Sequence, residues 1–171
     1  MSKFKSIFSI EKRVNLPNMF DEINKEHFDG VINKIPVVWN DRLRVCAGQC
    51  FYKKRSLTPT KIALSSKLFT KNWDIKKIRR TLIHEMTHAY LIQEFNEPGH
   101  TARFQEVMTR ITGENRNHRC HDYDVDGLRN KRNVSYWCPC GLTEGFRARM
   151  PKAGAIYIAK CCGEKVSFKR I

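Results

Sequence analysis

No run of apolar residues in this sequence approaches the roughly 20 that a membrane-spanning helix needs, so no membrane partner is expected. A secretory signal is missing too: Met1–Ile10 carries Lys3 and Lys5 around a short apolar stretch, and Glu11, Lys12 and Arg13 follow at once. There is no internal repeat, which sets aside solenoid architectures, and no low-complexity tail. Acidic residues are scarce, 17 against 32 Lys and Arg. Cysteine is odd in number, seven, and lacks the even, spaced set of a small disulfide-stapled secreted domain. These absences describe a soluble, intracellular chain, expected to act as a monomer. In that setting the Asn133-Val134-Ser135 sequon carries no weight.

What is present suffices for a core. The chain has 171 residues, 41% of them hydrophobic, with 10 Phe, 5 Tyr and 3 Trp, which argues against disorder. The net charge is +15, with 20 basic and 12 acidic residues over 1–114 and 12 and 5 over the shorter 115–171. A field of that density attracts polyanions through counterion release. The alternative is a solvated basic surface that serves only solubility.

Periodicity divides the chain into elements. Leu16, Phe20, Ile23 and Phe28 predict a helix over 17–28, stopped by Asp29-Gly30. Residues 35–39, 45–52 and 61–64 are short and β-rich and read as strands, with Cys46 and Cys50 as small buried residues of the second. Ile75, Ile78, Leu82, Met86 and Tyr90 mark one face of a helix over 75–95, which Asn96-Glu97-Pro98-Gly99 breaks. A second helix over 101–111 turns Phe104, Val107, Met108 and Ile111 inward and ends at Gly113. After Glu114 the periodicity fades into turns, charges and cysteines, so the expected division is a core at 1–114 and a basic, cysteine-containing subdomain at 115–171.

Inside the long helix lies His84-Glu85-Met86-Thr87-His88, an HExxH pattern. Four residues advance a helix by about 6 Å and slightly more than a turn, so both imidazoles leave one side within reach of one ion. A catalytic zinc takes three protein ligands and keeps a position open for water. Glu85 projects beside the two histidines, where it can take a proton from that water. Two histidines on an ordinary helix would give the same letters. Against that, Leu82, Ile83 and Ala89-Tyr90-Leu91 flank the motif, and a carboxylate in a buried helix needs a partner or a task. Gly99-His100 follows the helix break, and a chain reversal there brings His100 back as third ligand.

The segments HEMTHAY (84–90), GHTARF (99–104) and CAGQCFY (46–52), with a strand reaching Leu64-Ser65, resemble the SprT-like zinc metalloprotease domain. Phe28-Asp29-Gly30, Val38-Trp39 and Arg119-Cys120-His121-Asp122-Tyr123 are similar to it as well, so the likeness runs from about Asn18 to the C-terminus. The resemblance implies that His84, His88 and His100 hold a catalytic Zn2+ and that Glu85 is the general base. It further implies a nuclear endopeptidase stimulated by DNA and acting in DNA repair on proteins bound or crosslinked to DNA. The implied fold is α+β: a zincin-like core with a small mixed or antiparallel sheet beside the HExxH helix, then a small zinc-ribbon-like β subdomain.

In the family a small zinc-binding subdomain follows the protease core. Here its ligands would be Cys138 and Cys140, then Cys161 and Cys162, around a second, structural Zn2+. The spacing is tighter than the usual two-residue gap, which leaves open that one cysteine is spare and that His118, Cys120 or His121 completes the site. Basic and aromatic residues interleave around it, which suits single-stranded or partly unpaired DNA. Trp137, Arg129, Lys131, Arg132, Arg147 and Arg149 are the candidate contacts, with Trp137 for stacking and Phe146 and Tyr157 assigned to the subdomain's own core. Lys53-Lys54-Arg55, Lys76-Lys77 and Arg79-Arg80 could extend the track towards the catalytic motif. The competing reading is a non-catalytic zinc protein that binds nucleic acid, but a purely structural site has no use for Glu85.

Overall fold

A computed structural model describes residues 13–119, 121–129 and 132–171. Cys120 and Lys131, both named above, lie outside the described residues, as does the segment 1–12. The chain forms two compact units that divide after Leu128.

The first unit opens with helix α1 (Leu16–His27), whose N-terminus is capped by Asn15 Oδ1 accepting from the Asn18 N–H at 3.1 Å. Leu16, Phe20 and Ile23 form its buried stripe, and Asp29 and Gly30, at φ 53° and 74°, turn the chain away. Strands β1 (Val37–Asn40), β2 (Gly48–Lys53) and β3 (Thr58–Ser65) make a mixed sheet in the order β1-β3-β2. β1 runs parallel and β2 antiparallel to β3, whose last four residues are buried. Central β3 is therefore the most buried strand, while β1 and β2 are edges.

Helix α2 (Ser66–Lys71) follows without a break. Periodicity gave no hint of it, because six residues are less than two turns. The Ser65 hydroxyl caps it by accepting from the Leu68 N–H at 3.0 Å, and Leu68 and Phe69 drop into the core. Helix α3 (Ile75–Phe95) starts at Asp74, whose carboxylate accepts from the Lys76 N–H at 2.8 Å, and ends at left-handed Asn96. Ile78, Leu82 and Met86 are fully buried as their spacing predicts, but Ile75 at the helix start is 47% exposed. Helix α4 (Ala102–Thr112) is capped by Thr101 and stopped by Gly113 at φ 69°.

Residues 115–128, which the change of texture at residue 114 placed with the second region, fall in the first unit. Tyr123 is buried, and its hydroxyl donates to the Lys77 carbonyl and lies 3.1 Å from Thr81 Oγ1. Asn72 and Asp124 exchange two hydrogen bonds, and Lys71 pairs with Asp124 at 2.8 Å. Among its described residues the segment has no regular element of its own, and its packing rests on anchors of this kind, which composition does not reveal.

The second unit is a three-stranded antiparallel sheet, order β5-β4-β6, of β4 (Val134–Trp137), β5 (Glu144–Arg147) and β6 (Ser167–Arg170). Phe146, assigned above to the core of this unit, is 58% exposed, and Tyr157 is 41% exposed. A sheet of four-residue strands cannot cover both of its faces. Among the described residues no helix is long and apolar enough to cross a membrane.

Candidate active site

α3 presents His84 and His88 one turn apart, and the connection to α4 returns His100 to them. Gly99 makes that return possible: its φ of 108° is one that a side chain would resist. His84 Nε2 and His100 Nε2 are 3.1 Å apart, and the three ligand nitrogens all lie within 4.8 Å of one another. Two nitrogens at 2.0–2.1 Å from a tetrahedral zinc would be about 3.3 Å apart, so the donor set fits that ion. Phe104 of α4 forms the floor, its ring 4.9, 4.5 and 4.7 Å from those of His84, His88 and His100. Read from sequence, Phe104 was an inward-facing core residue; its contact with all three histidines depends on how α4 folds back.

The electrostatics favour metal binding. Burial, reinforced by the neighbouring imidazoles, brings His84 down to about 3, and burial with His100 brings His88 down to about 4. His100 is also lowered, by partial burial and then by Arg119. All three rings are therefore neutral at ordinary pH, which is the form that ligates a cation.

Glu85 is only 6% exposed, and burial pushes its carboxyl up to about 8 against the opposing hydrogen bond from the Cys50 backbone N–H. A divalent cation among the histidines would act in the opposite sense and favour the carboxylate. The glutamate lies against strand β2, and a Cβ built on Gly48 would come within 2.8 Å of its Cγ and Oε1.

These groups open into a cleft of about 410 Å³ bounded by β2, α3, the α3–α4 connection and the 116–123 segment. Arg80 and Arg116 line it and share Glu114 Oε2, at 2.6 and 3.0 Å. His118 and His121, considered above as ligands for the cysteine module, instead line this cleft in the first unit. His118 is 3% exposed; its Nε2 lies 3.0 Å from the Glu114 carbonyl, and its Nδ1 is buried without a partner. His121 Nε2 lies 2.9 Å from the Val45 carbonyl and ties the approach to β2 in place. Cys46 also lines the cleft and is exposed rather than buried, because β2 starts only at Gly48; Cys50 is half-buried.

In the second unit Cys138, Cys140, Cys161 and Cys162 converge. Their sulfurs lie 3.1 Å (138–162), 3.2 Å (138–140), 3.4 Å (140–161) and 3.9 Å (161–162) apart. Four thiols with all sulfurs within 4.8 Å of one another form a closed, all-sulfur donor set that suits a structural zinc. Two tight turns make the short spacings workable. The Gly141 N–H donates to Cys138 O, the Gly163 N–H donates to Ala159 O, and both glycines are left-handed at φ 75° and 76°. The Thr143 hydroxyl donates to Cys161 Sγ at 3.2 Å and pulls that thiol down to about 7.

The register of this sheet decides which candidate DNA contacts share a face. Ser135 pairs with Phe146 and Lys169, and Trp137 pairs with Glu144 and Ser167, so Trp137, Phe146 and Lys169 point to one side. Trp137 is 40% exposed there. Arg147 is on the other side, its guanidinium 5.3 and 5.5 Å from the rings of Tyr157 and Phe168. Arg129, Arg132 and Arg149 are exposed. In the first unit Arg79 pairs with Glu26, while Arg80 reaches the cleft.

The chain is 33% identical to the DNA-dependent metalloprotease SPRTN of Homo sapiens over 139 residues, 77% of this chain and 27% of that protein. It is 35% identical to SPRTN of Xenopus tropicalis over 130 residues, 71% of this chain and 28% of that one. The Germ cell nuclear acidic-1 protein of Caenorhabditis elegans is 29% identical over 99 residues, 54% of this chain and 18% of that protein. The match thus takes in little more than a quarter of the two SPRTN chains and less than a fifth of the germ-cell protein. The SprT-like family model covers residues 16–124, from the first turn of α1 through the histidine cluster to the segment that lines one side of the cleft, and the chain belongs to the SprT-like family.

Proposed function

We propose that this chain is a zinc-dependent endopeptidase that cleaves proteins bound or crosslinked to DNA. The observation that carries the reading is the convergence of His84, His88 and His100 beside a buried glutamate in an open cleft. In this reading the three imidazoles hold Zn2+ and Glu85 is the base. The ion, when bound, polarises the scissile carbonyl and acidifies a water. Glu85 takes the proton of that water as it attacks and delivers it to the departing amine. β2 is an edge strand whose residues 48–50 line the cleft, so an extended substrate can pair with it through main-chain hydrogen bonds. Recognition through the backbone tolerates varied side chains, as an enzyme facing many crosslinked proteins requires.

The second unit supplies the DNA contact. Trp137 and Phe146 share an exposed sheet face with Lys169, a pairing of rings and charge suited to unpaired bases and their phosphates. Exposed Arg129, Arg132 and Arg149, together with Lys131, add cations, and the net charge of +15 supports association with a polyanion. The four cysteines hold a second, structural Zn2+. The names of the relatives, DNA-dependent metalloproteases among them, support coupling of proteolysis to DNA, and with it a nuclear location. The protein acts as a monomer.

The test is cleavage of a DNA-bound protein, with and without single-stranded DNA, by the parent and by Glu85→Gln. The parent should cleave and be stimulated, and the variant should keep its zinc and lose about 10²–10⁴-fold in rate. Undiminished cleavage by Glu85→Gln would remove the assigned base.

A further inference from the structure

Strand β2 contributes more to the site than an edge for substrate. Seven glycines of the described chain have left-handed backbones, and Gly48 is not among them. Its main chain would accept any residue, and a β-strand disfavours glycine on entropic grounds. Glycine at this position therefore has a cause outside the backbone. A Cβ there would meet Glu85 Cγ and Oε1 at 2.8 Å and Leu64 Cδ2 at 2.9 Å, closer than non-bonded carbon and oxygen atoms approach. Two residues along the same strand, the Cys50 N–H donates to the Glu85 carboxylate. The glutamate is thus seated on β2 at two points, a bare Cα and an amide hydrogen.

We infer that Gly48 is a positioning residue for the proposed base, its missing side chain being the recess in which the Glu85 carboxyl is held. This rests on the peptidase reading of the site, and it adds the element that sets where the base stands. Leu64 is fully buried and cannot yield, whereas Glu85 lines the cleft, so the room for a displacement is on the side away from β2. A methyl group at 48 must lift the carboxyl off the strand and away from the Cys50 N–H. A displacement of about 1 Å in a reacting group can cost on the order of 100-fold in rate. The histidines, anchored on α3 and on the connection to α4, make none of these contacts, so their grip on a metal is untouched.

The experiment compares the parent, Gly48→Ala, Glu85→Asp and the double variant on quenched-fluorescent casein in the presence of a single-stranded oligonucleotide. Gly48→Ala should retain the parent's zinc content, change KM by less than about threefold and lower kcat by about 100-fold. In the Glu85→Asp protein, whose carboxyl is one methylene shorter, adding Gly48→Ala should lower kcat by less than about threefold. A kcat for Gly48→Ala within about threefold of the parent's, or an equal loss in both backgrounds, overturns the inference. A second readout does not depend on activity. Gly48→Ala should lower the melting temperature of the parent, or prevent its folding, whereas most of that loss should vanish in Glu85→Ala, where the recess is empty. Equal losses in the two backgrounds, or a Gly48→Ala change that prevents folding in the Glu85→Ala background as well as in the parent, overturn it too. If the parent shows no peptidase activity the proposed function falls, and the melting comparison still decides whether Gly48 seats Glu85.

Discussion

The two units solve one problem, placing ligands around an ion, from opposite starting points. In the first, Phe20, Ile23, Leu64, Leu68, Phe69, Ile78, Leu82, Met86 and Phe104 are buried to within 1%, so helices and sheet have a core of their own and the histidines are carried on a frame that stands without metal. In the second, the buried hydrophobic residues among those described are Val134, Cys138 and Ala159, while Leu142, Ile156 and Ile158 are 79%, 66% and 56% exposed. That unit lacks the apolar burial to offset its chain entropy, and small scaffolds of this kind need a staple. One unit positions a site; the other is positioned by one.

Metal removal should separate them most sharply. Chelation, or Cys138→Ser, is expected to unfold residues 129–171 and leave the first unit folded, because binding energy of about 10–16 kcal/mol is folding energy in such modules. Amide exchange followed by unit would show it, and simultaneous loss of protection in both units would erase the distinction. The converse lesion is in the core: Phe69→Ala should cost about 3–5 kcal/mol in denaturant melts of the first unit without disturbing the cysteine cluster. A smaller effect, about 1–3 kcal/mol of single-stranded DNA affinity, is expected for Trp137→Ala, with peptidase activity on a DNA-free substrate unaltered. Unchanged oligonucleotide titrations would move the DNA contact off that sheet face.

The smallest effect concerns pH in the chelated protein. His84 and His88 take protons near 6.5 when unfolded but only near 3 and 4 when folded. Glu85 titrates at 4.5 unfolded and about 8 folded. From 4.5 to 6.5 the unfolded chain binds two imidazole protons that the folded chain lacks, while the folded chain holds one carboxyl proton, so stability rises with pH. From 6.5 to 8 only the glutamate's proton counts, and stability falls. The melting temperature of the first unit should therefore peak near pH 6.5, and a steady rise through pH 8 would mean that Glu85 is not held protonated there.

What could be read before folding follows the same contrast. The long helix, the HExxH side chains on it and the Gly99 reversal that returns His100 are local in sequence, so periodicity and a hinge sufficed. The four cysteines were legible as a donor set because thiols are rare. Contacts made by the absence of a side chain, as at Gly48 against Glu85, depend on the packing of β2 on α3 and leave no local trace. Residues 115–128 were misplaced because irregular chain anchored by Tyr123, Asn72 and His121 has the composition of a linker. Phe146 was given to a core because aromatics usually are, but a sheet this small has one covered face.

The central claim is tested most directly by an anomalous diffraction map recorded at the zinc absorption edge. One peak is expected about 2.0–2.1 Å from a nitrogen of each of His84, His88 and His100, and another about 2.3 Å from the four cysteine sulfurs. A zinc-replete crystal with no peak among the histidines, or with one bound while His100 points elsewhere, would contradict it.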